Sequence, residues 1–478
     1  MIRVTSLRLR ALRLLAALGA IPTVWACTSH TLAPPTGAPV STQEKTFPVG
    51  QNRDLDLLFM VDNSLSMKGL QQKMAEHLPD FMKVLEELPG GLPNLHVAVV
   101  SSSLGTGGIF NAVPGCPSAP PGDDDGRFQH SPACTALNPG EKFIKAGAGQ
   151  NNFTGNIADV FACIAKLGDG GCGMEQQFQA TRRALERAMN PADPDNGGFL
   201  RPDAILGIVM LTNEDDCSVD FDSTLFDASQ MLVKDPLGGL QNYRCNEFGH
   251  LCDGVPPPHD VSGPVTLNNC VPAEEKGRLV HVAEFAEFVK GLKPDPTQVF
   301  VAALAGEPTS YVVAPTPLPL ITGGTEMQPS IQHSCKAPDN PKDDYADPAV
   351  RVAAFINAFP ATNRQLSSIC AADFTPAMTN IARALSALVK PPCLNHAVGL
   401  TKEGRPNCQV ALTSGGTAHD KRVPECTAGG TTFPCWRLDQ DAACPVAGRL
   451  NVCWEETCNP AKAPGTMASA EATCAVGT

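Results

Sequence analysis

From residue 54 onward, short continuous apolar runs alternate with stretches of helical period. "LDLLFMV" (55–61) is apolar almost throughout and breaks into polar residues at "DNS", the pattern of a strand buried on both faces. Beyond it, Leu70, Met74, Leu78, Phe81, Met82 and Leu85 recur at helical spacing and share one face. "LHVAVVSSS" (95–103), "AILGIVMLTNEDD" (204–216) and "QVFVAALAG" (298–306) repeat the strand pattern. "NIADVFACIAKL" (156–167), "MEQQFQATRRALERAM" (174–189), "GRLVHVAEFAEFVKGL" (277–292) and "FTPAMTNIARALSALV" (374–389) predict helices. Strands alternating with helices predict an α/β fold: a doubly wound, mostly parallel sheet with helices on both faces. Such sheets place ligand sites at the carboxyl ends of their strands. The most polar strand ends here are "VDNSLS" and "TNEDD".

The flanks have a different character. Residues 27–50 are rich in Pro, Thr and Ser and read as a tether. Long loops interrupt the strand–helix pattern at 107–155 and after residue 216. The main domain is therefore expected over 54–392, with long insertions. From 393 to 478, short apolar stretches alternate with Gly and Pro turns among closely spaced cysteines. This predicts a small β-rich module held by disulfides, since it has too few apolar residues for a large core.

The chain has 19 Cys. They lie in loops without paired CxxC knuckles, which favours disulfides over zinc and an oxidising compartment over the cytosol. Cys163 and Cys172 flank a turn across which they are placed to pair. Residues 1–26 carry arginines and then the apolar run "LLAALGAIPTVWA", too short to span a bilayer, and read as an export signal. "VWAC" resembles a bacterial lipobox, which implies lipid attachment at Cys27; the alternative is ordinary secretory cleavage after Ala26. An odd cysteine total with one Cys acylated leaves an even number to pair. The expected location is the cell envelope, anchored by lipid in the outer membrane and facing periplasm or cell surface. Net charge is -13, and the export signal holds four Arg and no acid, so the mature chain is more acidic still. So acidic a surface excludes nucleic acid as a partner and suits cations.

Asp62, Ser64 and Ser66 stand at alternate positions just beyond a strand. One carboxylate and two hydroxyls are hard oxygen donors, suited first to Mg²⁺, with Ca²⁺ or Mn²⁺ as alternatives. Asp-x-Ser-x-Ser also makes a helix N-cap, and Ser66 is placed to cap the helix that follows. The succession of apolar strand, DxSxS and long amphipathic helix resembles the entrance to a von Willebrand factor A (vWA) domain, and the resemblance runs from about residue 54 to 390. "GCGMEQ", "NGGFLRPDAILGIVMLTNEDDCS" and the Cys-rich tail are similar to Cys-rich vWA lipoproteins of myxobacteria. The resemblance implies a metal-ion-dependent adhesion site. There, two Ser hydroxyls bind the cation, the first Asp acts through water, and a later Thr and Asp complete the shell. An acidic side chain of a protein partner supplies the last oxygen.

This chain departs from that pattern twice. Asn213 stands where the family has Asp, so the contributing acid is expected at Asp215 or Glu214; the alternative is a solvated acidic loop. Glu175 stands where the family has Thr, with Thr154 as a weaker candidate hydroxyl; the alternative for Glu175 is a first-turn acid favoured by the helix dipole. Two further acidic segments, Asp123–Asp125 and Asp193–Asn196, resemble fragments of calcium loops but lack the closing Glu, and read as turns. There is no GxSxG, P-loop, HExxH or Cys/His pair, so no enzyme is expected. The expectation is a cell-envelope vWA-domain lipoprotein that binds a divalent cation and mediates protein binding or adhesion. The alternatives are an envelope scaffold with a stabilising metal and no metal-mediated partner, or a secreted metal-dependent hydrolase.

Overall fold

The computed structural model describes residues 41–477 apart from 49–52, 89–90, 106–115, 117–123, 148–150, 203, 321–322, 390–393, 395, 415–416, 428–429, 441–447, 457 and 459–468. The export signal, Cys27 and most of the tether lie outside the described residues. The α-helices are α1 (Lys68–Glu86), α2 (Ile157–Ile164), α3 (Gln177–Ala188), α4 (Tyr243–Gly249), α5 (Val282–Lys290), α6 (Val350–Asn357) and α7 (Thr375–Val389). Among the described residues, no helix is long and apolar enough to cross a membrane.

A six-stranded sheet forms the centre, in the order Arg364–Ser368, Val299–Ala305, Ile205–Leu211, Asp54–Val61, Asn94–Ser101, Ile144–Ala146. The first five run parallel and the last antiparallel. The strand Asp54–Val61 explains the two layers. Its side chains alternate in direction. Leu55, Leu57, Phe59 and Val61 pack with α1, α2 and α7, while Leu58 and Met60 point the other way, among α3, α5 and α6. A strand covered on both faces has to be apolar at nearly every position. The exception, Asp56, is fully buried and held by Arg201 N and Nε, each at 2.8 Å.

Chain order and spatial order part company at one seam. The chain moves outward from Asp54–Val61 through Asn94–Ser101, then returns to the other side of Asp54–Val61 with Ile205–Leu211. Connections leave these two adjacent strands in opposite directions. Asp62 and Thr212 stand just beyond their carboxyl ends, where such sheets place ligand sites, and both are fully buried.

The C-terminal module has its own core, including Val410, Leu412, Trp436, Leu450 and Val452. Its antiparallel sheet has the order Thr42–Pro48, Ser469–Ala475, Cys408–Ser414, Thr417–Val423. The tether expected over 27–50 is thus corrected at its end: Thr42–Pro48 is a strand in full register with Ser469–Ala475. Polar composition hid it, because an edge strand gains its pairing from backbone groups. Gln43 and His396 fix the junction through two side chain–backbone bonds, at 2.7 and 3.0 Å.

Eight disulfides join described residues. So many cross-links mark an extracytoplasmic protein. The pairing across the 163–172 turn is not made. Cys163 bonds Cys134 and Cys172 bonds Cys116, so each ties a long loop to the body rather than closing a short one. Cys27, Cys393 and Cys444 lie outside the described residues.

Candidate metal centre

Asp62 follows directly on its strand, and its N–H still bonds Leu211 O at 2.9 Å. The chain then turns: Ser64 N donates to Asp62 Oδ1 at 2.9 Å, and a short 3-10 turn, Leu65–Met67, leads into α1. Neither Ser64 nor Ser66 caps either helical segment with its side chain. Capping therefore accounts for neither hydroxyl: Ser66 Oγ meets the Asn213 side chain at 3.0 Å, and Ser64 Oγ is left buried beside Asp62.

The Asp62 carboxylate is fully buried. Ser102 Oγ donates to its Oδ1 at 3.2 Å and Thr212 Oγ1 to its Oδ2 at 2.8 Å. Gln177 Nε2 donates to Thr212 Oγ1 at 2.9 Å, tying α3 to the same point. Burial pushes the Asp62 carboxyl above the usual range, and the bonds from Ser64, Thr212 and Ser102 oppose this. Asn213, at the position where the family has Asp, does face the DxSxS loop: its Nδ2 donates to Ser66 Oγ at 3.0 Å.

Glu175 is buried and stands ahead of α3, not in its first turn. The amides opening that helix are held instead by Asp216 and Ser218: Phe178 N bonds Asp216 Oδ1 and Gln179 N bonds Ser218 Oγ, both at 2.9 Å. Glu175 is therefore not the first-turn acid given as its alternative. Its carboxyl lies against that of Glu214. Burial, and then the charge of Asp62, pushes Glu175 up to about 8. Burial and then Glu175 push Glu214 well above its ordinary value. Two carboxyls in one dry site cannot both ionise without a cation between or beside them. Asn242 Nδ2 bonds Glu214 from the long loop that follows.

Asp215 is corrected. It does not join this group, because its carboxylate serves the start of α6. It accepts from Arg351 N (2.9 Å), Val352 N (3.1 Å) and Asp216 N (2.9 Å), and pairs with buried His250 Nε2 at 2.7 Å. Thr154 is exposed on the loop before α2. In the calcium-like fragments, Asp125 pairs with Arg127, Arg183 and Arg187, Asp193 with Arg187, and Asp195 with Arg127, Lys142 and Arg187, while Asp123 lies outside the described residues.

Two atoms test whether a cation suits this group. Ser64 Oγ and Glu175 Oε1 are buried with no hydrogen-bond partner. An unpartnered buried polar atom costs about 1–3 kcal/mol, so two in one site call for something to satisfy them. All the donors are oxygens, as Mg²⁺ or Ca²⁺ requires. Among the described residues, no three His, Cys, Asp or Glu side chains make a ready-made metal cage. The group depends instead on hydroxyls beside Asp62, Glu175 and Glu214, and the residues present fit a hard cation.

Sequence reasoning missed Ser102 and Asp347. Ser102 had a signal, since "SSS" ends the strand next to Asp54–Val61 at the same edge of the sheet. Asp347 had none. Its charge acts on Glu175 and Glu214, and it pairs with His333 Nδ1 at 2.7 Å.

No family model and no curated protein matches this chain. Among solved structures it is similar to the pilus adhesin SpaC from Lactobacillus rhamnosus GG in its open conformation, at 10% identity over 92% of this chain and 43% of that one, with a TM-score of 0.29. It is also similar to the pilus adhesin RrgA from Streptococcus pneumoniae, at 13% identity over 91% of this chain and 58% of that one, with a TM-score of 0.23. The chain spans about half the length of these structures, at TM-scores too low to establish a shared fold.

Proposed function

We propose that this protein is an exported envelope lipoprotein whose residues 54–392 form a doubly wound vWA-type domain, with a divalent-cation site at the strand ends. Asp62, Ser64 and Ser66 would hold the cation together with Glu175 and Glu214, and lipid on Cys27 would anchor the chain. Mg²⁺ is the first choice on donor chemistry. The reading rests on one observation above others: the DxSxS hydroxyls cap no helix, and Ser64 Oγ is left buried and unpartnered beside Asp62. The bound cation would serve protein binding or adhesion. Affinity capture from envelope extract, with and without EDTA, tests this. A partner retained only in the presence of Mg²⁺ is the expected result, and identical capture in EDTA rejects it.

The Glu175–Glu214 pair favours a second reading. Two carboxylates beside Asp62 would neutralise a divalent ion and weaken its pull on an acidic partner group. The cation would then tie the strand ends together as a structural element. A large rise in melting temperature with Mg²⁺, and no captured partner, supports that outcome.

A further inference from the structure

Asn242 stands at the position that opens α4, yet its side chain does not cap that helix. Asparagine is favoured there because its side-chain oxygen can accept from the first free amides. Here the side chain turns away, and Nδ2 donates to Glu214 Oε2. The neighbours of Asn242 fix it in place. Cys245 is bonded to Cys217, just beyond Glu214. Arg244 is buried, and the carbonyls of Leu225 (2.8 Å), Gly238 (2.8 Å) and Gly239 (3.1 Å) hold its guanidinium. Tyr243 is buried too, with its OH bonded to Pro258 O. A preorganised loop thus delivers the Asn242 amide to one oxygen of Glu214.

The oxygens left over by these bonds bear on the choice of ion. Both oxygens of Asp62 are engaged: Oδ1 by Ser64 N at 2.9 Å and Ser102 Oγ at 3.2 Å, Oδ2 by Thr212 Oγ1 at 2.8 Å. At Glu214, Asn242 engages Oε2, and the carboxyl otherwise meets Glu175. Neither side chain is free to close on a cation with two oxygens. Ca²⁺ gathers about six to eight oxygens and often takes a carboxylate by both of its own. Mg²⁺ demands a near-ideal octahedron, keeps several waters and needs only one or two carboxylates. The bonds that restrain Asp62 and Glu214 therefore suit the smaller ion.

We propose that Asn242 is a positioning residue of the cation site: by holding Glu214 Oε2 it limits Glu214 to one oxygen and biases the site toward Mg²⁺ and against Ca²⁺. The inference rests on the cation-site reading and adds to it the residue that sets the choice of ion. Once the Asn242 bond is removed, Glu214 can turn both oxygens to the ion, which favours the larger one.

The test is calorimetric titration of the mature protein with Mg²⁺ and with Ca²⁺, for the wild type, Asn242→Ala and Asn242→Leu. Leucine keeps the size of the side chain without its donor, so it separates the bond from the space that the residue fills. The ratio of Ca²⁺ to Mg²⁺ affinity is expected to rise by about tenfold in both variants. A general loosening of α4 would weaken both ions together and leave the ratio where it was. In the wild type, Ca²⁺ is expected to bind no more tightly than Mg²⁺. A preference for Ca²⁺ of about tenfold there overturns the proposal without any substitution. A ratio unchanged within about twofold in both variants, or moved toward Mg²⁺, overturns it and leaves the cation site standing. Failure of either ion to bind the wild type overturns the cation-site reading itself, and this inference with it.

Discussion

Asn213 Nδ2 donates to Ser66 Oγ at 3.0 Å, across the seam between the two strands where the sheet's connections diverge. This bond shows which residue after Ile205–Leu211 looks at the DxSxS loop. It is the first one after Thr212, and it is an amide. Asn213→Asp would put a fourth carboxyl beside those of Asp62, Glu175 and Glu214. Without metal that substitution is expected to lower the melting temperature, because a fully buried acid is added to three others. With Mg²⁺ the same change is expected to tighten binding by about tenfold. Calorimetric titration and melting curves read the two effects separately, and a variant that shifts neither sets Asn213 outside the site.

Ser64→Ala has the opposite signature. The Ser64 hydroxyl makes no well-formed hydrogen bond, and its one polar neighbour is the Asp62 carboxylate, so its removal gives up little within the protein. Metal-free stability is expected to stay within about 0.5 kcal/mol of wild type or to rise. Cation affinity is expected to fall by about tenfold or more. Terbium luminescence, with Mg²⁺ as competitor, measures the second quantity. Unchanged affinity would remove Ser64 from the ligand set and, with it, the main support for a metal centre.

Glu175 makes stability depend on pH in the metal-free protein. Its carboxyl titrates near 4.5 when unconstrained and is pushed up to about 8 by burial and by Asp62. The folded state therefore holds a proton that the unfolded chain releases. The stability this contributes is fully present below about pH 4.5 and is lost as pH rises through about 8. Melting temperature is expected to fall between pH 5 and pH 9, in steps of about pH 1 unit, and Glu175→Gln should flatten that slope. Saturating Mg²⁺ should restore stability most at the alkaline end, with proton release on binding. A wild-type slope unaffected by Glu175→Gln would show that the carboxyl is not held protonated.

The parts legible in the sequence were those set by local spacing. Asp62, Ser64 and Ser66 read correctly as a strand-end turn, because two neighbouring residues decide how it bends. The central strands read as buried because two-sided burial leaves a continuous apolar run. Asp215 did not read correctly, because α6 arrives from more than a hundred residues downstream to claim it. Asp347 and Ser102 reach the site through the packing of separate strands and loops, and no local spacing encodes that. The strand Thr42–Pro48 was hidden for a related reason: its partner lies at the far end of the chain.

The role reassigned to Asp215 carries its own test. Its two oxygens accept from Arg351 N, Val352 N and Asp216 N and pair with the imidazole of His250, which in turn meets Tyr311 OH at 3.0 Å. Asp215→Ala leaves these buried donors unmatched at once, beside the buried Arg351–Asp216 pair at 3.0 Å. The expected loss is about 3–5 kcal/mol of stability. Asp215→Asn keeps one acceptor oxygen and is expected to lose about half as much. A structural acid far down in the packing of α6 should leave the Mg²⁺ affinity of the folded fraction unchanged, within about twofold. A ligand to the cation would instead lose affinity without this loss of stability. Denaturant melts combined with calorimetric Mg²⁺ titration of Asp215→Asn therefore decide between the two roles, and Glu214→Gln, measured in parallel, should show the converse pattern.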